Sequence, residues 1–442
     1  MAVHLDRTTV TRRARRWLDA WGPMLPMFIA EATIWVGFGA LLPILPIYFT
    51  AHGVDLPTLG IVVAAWPAAR LLGEPLFGWV ADRGPRKAMM VLGLLLASVF
   101  AVAPLFVVGP AAFIVWRALA GLSASIYDPA ARGYLVDANP PERHGELFGL
   151  YGAAQMGGLM VGPAIGGIAA ALTGQPTIVF WIAGAMAVAS AIVVALRVPD
   201  LAHQHRPADD AAAVPGPLAD EADDDRKGVP PKPRRLVNRL LIAAVAFNMG
   251  SFFASGAYEV VWSLYLTHLG ASLGLIGLTF FTFAAPILVL SPWFGRFIDR
   301  EGGFYALVVG MAGVGICGLL YPAIPEIWFM AALGIVEGTA FALASPALFL
   351  LVARASPDGR SSTAQGIFGA AGTLGTIIAS LTAGLLAAEN LTYPFYATGI
   401  AALVSLAIGL AIGRHRLWDA MQPRHPAAAP GSTATAVQGE AG

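Results

Sequence analysis

The sequence is short of charge. Only 12% of its 442 residues are Asp, Glu, Lys or Arg, about half the ~25% of a soluble chain. Hydrophobic residues make up 57%, and the mean hydropathy is +0.69. That balance places the chain in lipid. Its single cysteine, Cys317, excludes an internal disulfide framework and argues against a thiolate metal centre. No Gly-x4-Gly-Lys-Ser/Thr loop occurs, so nucleotide hydrolysis within the chain is not its energy source. No histidine falls in an apolar run of spanning length, and no metal cluster or nucleophile–base arrangement is visible. We therefore expect no enzyme, no metal and no organic cofactor. Formal net charge is zero, which gives no reason to expect a nucleic-acid partner. The N-terminus is polar and basic and shows no cleavable secretory signal.

What the chain has is apolar runs. Twelve can cross a ~30 Å hydrocarbon core as helices, near 24–48, 58–80, 88–108, 111–133, 146–171, 176–196, 240–266, 272–294, 304–322, 327–352, 362–387 and 392–413. The expected organisation is a basic N-terminus (1–23), a six-helix bundle (24–196), a disordered polar linker (197–237), a second bundle (238–413) and a disordered tail (414–442). Arg and Lys lie at the N-terminus, after spans 2 and 4, in the linker and at the C-terminus. The connections near 50–57, 109, 174, 268, 323 and 390 carry none. By the positive-inside rule both termini lie in the cytoplasm. We expect a multi-pass protein of the cell (plasma or inner) membrane, surrounded by lipid and monomeric.

The two halves repeat at an offset of 217 residues, the spacing from Gly60 to Gly277. Without a gap, Gly53 meets Gly270, Pro75 meets Pro292, Gly78 with Asp82-Arg83 meets Gly295 with Asp299-Arg300, Gly121 meets Gly338 and Pro129 meets Pro346. Gly is abundant and could match by chance; the Asp-Arg pair and the prolines in one register are harder to supply that way. The fold expected is an all-α integral membrane protein of two pseudo-symmetric six-helix bundles. Paired halves of this kind usually place a substrate site between them.

After span 2 the chain reads Gly78-Trp-Val-Ala-Asp82-Arg83-Gly-Pro-Arg86-Lys87. It resembles the loop signature of the major facilitator superfamily, Gly-x-x-x-Asp-Arg-x-Gly-Arg-Lys, with Pro85 in place of the later glycine. In span 5, Gly149-x8-Gly158-x3-Gly162-Pro163-x2-Gly166-Gly167 is similar to the antiporter motif of the twelve-helix drug:proton antiporters in that superfamily. Taken alone, such small residues at every fourth position also serve ordinary close helix packing. Pro43-x-x-Pro46 resembles an element at the outer end of span 1 in those antiporters. The resemblance implies alternating access, a gating role for the loops containing Gly78, Asp82, Arg83, Arg86 and Lys87 and their repeat Asp299-Arg300, and export of a substrate against protons.

A charge at the bilayer centre costs about 2.5–3.5 kcal/mol even on lenient scales, so the seven ionisable residues in the expected spans each need a reason: Glu31, Arg70, Glu74, Arg117, Asp128, Glu259 and Glu337. Glu31, in otherwise apolar company, can hold a proton and compete with a cationic substrate; the alternative is a carboxyl bonded within the bundle for packing. The resemblance implies a coupling role for it and for Arg117, which matches the family's span-4 arginine. An arginine there stabilises a neighbouring carboxylate when the halves close and releases it when they part. Glu259 and Glu337 are candidate proton sites in the second half. Arg70 and Glu74, four apart, can pair structurally. Asp128 is expected to join Asp82, Arg83 and Arg132 in a gate. Trp35, Tyr127, Tyr151, Tyr258 and Trp262 are candidate cavity aromatics, suited to bulky lipophilic cations; taken singly, such rings more often face lipid or pack. The function expected is proton-coupled efflux of small lipophilic or amphiphilic compounds such as drugs, the alternative being export of a sugar, metabolite or lipid on the same fold.

Overall fold

The structure is a computed structural model that describes residues 21–140, 143–200, 237–356 and 361–423. The expected linker and most of both termini lie outside these residues. All regular structure among the described residues is helical. The first span is broken into Leu25–Leu41 and Leu45–Ala51, with Pro43 in the break, where it withholds a backbone donor. The rest are Leu56–Ala81, Arg86–Val102, Pro110–Asp137, His144–Thr173, Ile178–Arg197, Arg239–His268, Leu273–Glu301, Phe304–Leu320, Ile327–Ala355, Ser361–Glu389 and Tyr393–Met421. We number these twelve spans in chain order, the broken pair being span 1. Spans 3 and 9 are the shortest at 17 residues each, or ~26 Å of rise. Span 12 runs past the expected end at 413 to Met421, bent at Arg414, whose φ is 44°.

The halves are related by a pseudo-twofold that reproduces the sequence offset contact by contact. A Cβ on Gly60 of span 2 would lie 2.5 Å from the Ser380 carbonyl and 3.1 Å from Gly384 Cα in span 11. A Cβ on Gly277 of span 8 would lie 2.5 Å from the Pro163 carbonyl and 3.6 Å from Gly167 Cα in span 5. Each residue of the first set has its repeat partner in the second. Only glycine permits backbones to approach this closely. These two crossings, spans 2 with 11 and 5 with 8, join the bundles.

The apolar core shows how the bundles sit. One cluster contains side chains of both halves, among them Tyr48, Phe49, Phe113 and Phe180 with Tyr265, Leu266, Tyr321 and Phe395. All of these lie towards the ends whose loops carry no Arg or Lys. At the opposite, basic ends the core divides. One cluster draws only on residues from Trp21 to Val198, another only on Ala243 to Met421. The halves are therefore closed at one end and separately packed at the other.

Candidate functional site

Glu31 on span 1 is fully buried. It has polar company rather than the apolar surroundings expected. Trp35 Nε1 donates to Oε1 at 2.9 Å and Gln155 Nε2 donates to the same oxygen at 3.1 Å. Tyr127 OH donates to Oε2 at 2.8 Å. Spans 1, 4 and 5 each contribute one donor, so both carboxyl oxygens are held without a cation. This nest can keep a carboxyl group in the membrane whether or not it holds a proton, because a hydroxyl or amide can turn to accept from the protonated form.

Next to Tyr127 in span 4, Asp128 pairs with Arg70 of span 2, which also pairs with Glu74. Arg132 stands 4.0 Å from Asp128. The Arg70–Glu74 pair is as the spacing suggested. The expected link from Asp128 to Asp82 and Arg83 is not formed. Arg83 instead donates to the Trp79 carbonyl at 3.2 Å and lies over the Trp79 ring. Asp128 faces the inside of the bundle beside Arg70, whereas the loop lies beyond the helix end.

Arg117 of span 4 forms an ion pair with Glu259 of span 7. The two are 142 residues apart and belong to opposite bundles. Arg117 is only 7% exposed, and its Nε has no acceptor among the described residues. Glu337 of span 10 is likewise buried, accepting from Tyr321 OH at 2.7 Å and Tyr258 OH at 3.3 Å.

A cavity of about 110 Å³ lies inside the N-terminal bundle rather than between the halves. Trp35, Phe38, Trp66, Arg70, Arg117 and Asp128 stand on its wall, with Tyr127. Of the expected cavity aromatics, Trp35 and Tyr127 are so placed. Tyr151 is packed in the N-terminal core. Tyr258 and Trp262 stack with Tyr321 and Phe395, and Trp262 Nε1 donates to Thr279 at 2.9 Å. In this conformation they pack in the closed end and are not on the wall of that cavity.

The loop signature acts as a staple. Arg86 meets Asp82 at 3.6 Å, pairs with Asp137 at the end of span 4 and donates to the Gly133 carbonyl at 2.7 Å. Lys87 meets Asp200 at 3.5 Å, and a Cβ on Gly78 would touch Pro129. In the other half neither Asp299 nor Arg300 has an ion pair among the described residues. The repeat partners of Arg86 and Asp137 are Gly303 and Arg354. There the end of span 12 takes over: Gly303 N donates to the Met421 carbonyl at 2.9 Å, and Arg354 donates to the carbonyls of Ala420 and Gln422.

The span-5 glycine motif has two faces. Cβ atoms on Gly158, Gly162 and Gly166 would press into the carbonyls of Ala32, Val36 and Ala40 in span 1, at 2.5 Å for the second and third. Gly167 and the Pro163 carbonyl face span 8 of the other bundle. Gly149 faces open space. The motif thus sets span 1, which carries Glu31, against the interface between halves.

Gln155 and Tyr321 were not among the residues expected from sequence. Gln155 is one of the few amides within a span, and a search for buried amides as well as charges finds it. Tyr321 follows span 9 in a turn, and nothing in its neighbourhood points to Glu337.

Twelve spans in two pseudo-symmetric bundles, bridged at one end by a buried ion pair, define a membrane transporter. The sequence pattern of the Major Facilitator Superfamily matches residues 27–260 and 240–435. The chain belongs to that superfamily and is a multi-pass membrane protein. Among curated relatives, the quinolone resistance protein NorA of Staphylococcus aureus is 27% identical over 236 residues, 52% of this chain and 55% of that protein. The chain thus matches about half the length of that relative. An uncharacterized transporter of the superfamily from Methanocaldococcus jannaschii is 22% identical over 82% of this chain and 90% of its own. Among solved structures, a bacterial homolog of the human lysosomal transporter Spinster, inward-facing and occupied, aligns with TM-score 0.72 at 14% identity over 91% of this chain and 98% of that one. A peptide transporter in complex with sulfate aligns with TM-score 0.67 at 16% identity over 90% and 96%. At these identities the structures speak for the fold alone.

Proposed function

We propose that this transporter exports small lipophilic or amphiphilic compounds in exchange for protons, by alternating access. The observation that carries the reading is the buried Arg117–Glu259 pair across the halves. It exists only while the ends without Arg and Lys are closed. Neutralising Glu259 removes the charge that holds Arg117 at the interface, so a proton arriving there changes the stability of closure. Glu31, nested behind Trp35 and Tyr127 on the cavity side of the same bundle, is a second carboxyl able to load and unload. With both termini in the cytoplasm, the closed ends face outward and this conformation opens inward. Each proton moving inward through 100 mV of potential supplies about 2.3 kcal/mol to drive substrate out. The drug-resistance name of NorA and the complete span-5 glycine motif support drug-like cargo; no nucleic acid enters this reading.

The test is accumulation of ethidium and of a fluoroquinolone in cells expressing the protein. Accumulation falls below that of control cells and is restored by a protonophore. Equal accumulation with and without expression, across a panel of lipophilic compounds, contradicts drug export.

A further inference from the structure

We propose that the cavity in the N-terminal bundle binds the acceptor end of a planar aromatic ligand, a carboxylate above all, with Arg117 as its anchor. The proposal deepens the export reading by assigning a substrate class, and it rests on that reading for its physiological meaning.

The wall's charges lead to it. Asp128 is taken by Arg70 and approached by Arg132. Arg70 is taken by Asp128 and Glu74. Glu31 lies behind the wall and already accepts from three donors. A cation entering the cavity meets no carboxylate that lacks a donor. Arg117 differs. One Nη2 contact goes to Glu259, while its buried Nε–H has no acceptor among the described residues. A buried charged donor left unmet is costly, and a guanidinium offers its N–H groups in a planar fork that fits a carboxylate. The walls suit a flat ring. Phe38 and Trp66 flank Arg117, with ring centroids 6.0 and 5.8 Å from Cζ, and these two rings are 5.1 Å apart. A cavity of 110 Å³ holds roughly three or four waters at ~30 Å³ each. The acceptor end and part of a ring fit it; a whole drug-sized molecule, which needs at least ~300 Å³, extends beyond it.

The full chain in lipid nanodiscs is titrated with 2-naphthoate, 2-naphthamide and 2-naphthylmethylammonium, following quenching of tryptophan fluorescence. Naphthoate binds about tenfold or more tighter than the ammonium, with the amide between. Arg117→Lys keeps a cation for Glu259 but removes the fork; it weakens naphthoate about tenfold and the ammonium less than about twofold. Should that variant fail to fold, Ala124→Phe, which fills the cavity while leaving Arg117 intact, abolishes naphthoate binding. The proposal is overturned if the ammonium binds as tightly as naphthoate, or if Ala124→Phe leaves naphthoate unchanged. Binding here is read without transport. A protein that binds naphthoate but exports nothing refutes the export reading alone, and one that exports cations without binding naphthoate refutes this inference alone.

Discussion

Glu259→Gln attacks the closed end at a buried ion pair. Arg117 would remain 7% exposed with no charge to face, and removing one partner of a buried pair costs ~3–5 kcal/mol. Glutamine retains an acceptor oxygen, so the lower figure applies. Arg117 needs this partner only when the halves meet, so the cost falls on the closed state. About 3 kcal/mol is a factor of ~150. A protein closed about 99 parts in 100 would then open to near parity, since complete reversal needs ~5.5 kcal/mol. Spin labels at Asp55 and His268, both exposed beside the closed end, in a Cys317→Ser background, report the distance across it by pulsed electron resonance. The single variant adds a second, longer distance population. Arg117→Met combined with Glu259→Gln restores much of the short one, because replacing both members of a buried pair costs far less than removing one. An unchanged distribution in Glu259→Gln refutes the assignment of closure to this pair.

The other predictions concern packing and the loops. Gly158→Ala drives a methyl group into the Ala32 carbonyl and costs about 1–3 kcal/mol, seen as a lower thermal midpoint. Gly149→Ala, facing open space, does not lower the midpoint although it belongs to the same motif. Arg354→Met loses two charge-assisted hydrogen bonds, worth about 1.5–3 kcal/mol each. Amide exchange accelerates over residues 415–421, with the rest of the C-terminal bundle unchanged.

Fold was more legible in the sequence than site. Apolar run length reports a span directly, and a fixed offset that carries Gly60 to Gly277 and Gly167 to Gly384 encodes a pseudo-twofold before any coordinates exist. Glu31 and Arg117 were legible because a charge in hydrocarbon demands a reason. Their partners were not. Which donor meets Glu31, and which acid meets Arg117, depends on how each helix is rotated and tilted against the others, and sequence carries that only weakly. Arg117 finds its partner across the bundles, where no spacing rule reaches. Asp128 departs from expectation for a related reason: sequence proximity favours loop residues at a helix end as its partners, whereas packing brings it Arg70 from inside the bundle. Trp262 and Tyr258 are as aromatic as Trp35; only packing distinguishes a ring in a closed core from one on a cavity wall.

Whether protons are exchanged for substrate through buried carboxyl groups is decided by internal pH in proteoliposomes. Protein is reconstituted into acid-loaded vesicles containing a pH dye, and an exported compound is added outside. Wild-type vesicles are expected to become more alkaline inside upon addition, and Glu31→Gln, at equal incorporation, to show no such change. Substrate movement without any change of internal pH, or full alkalinisation by Glu31→Gln, would rule out proton exchange through Glu31.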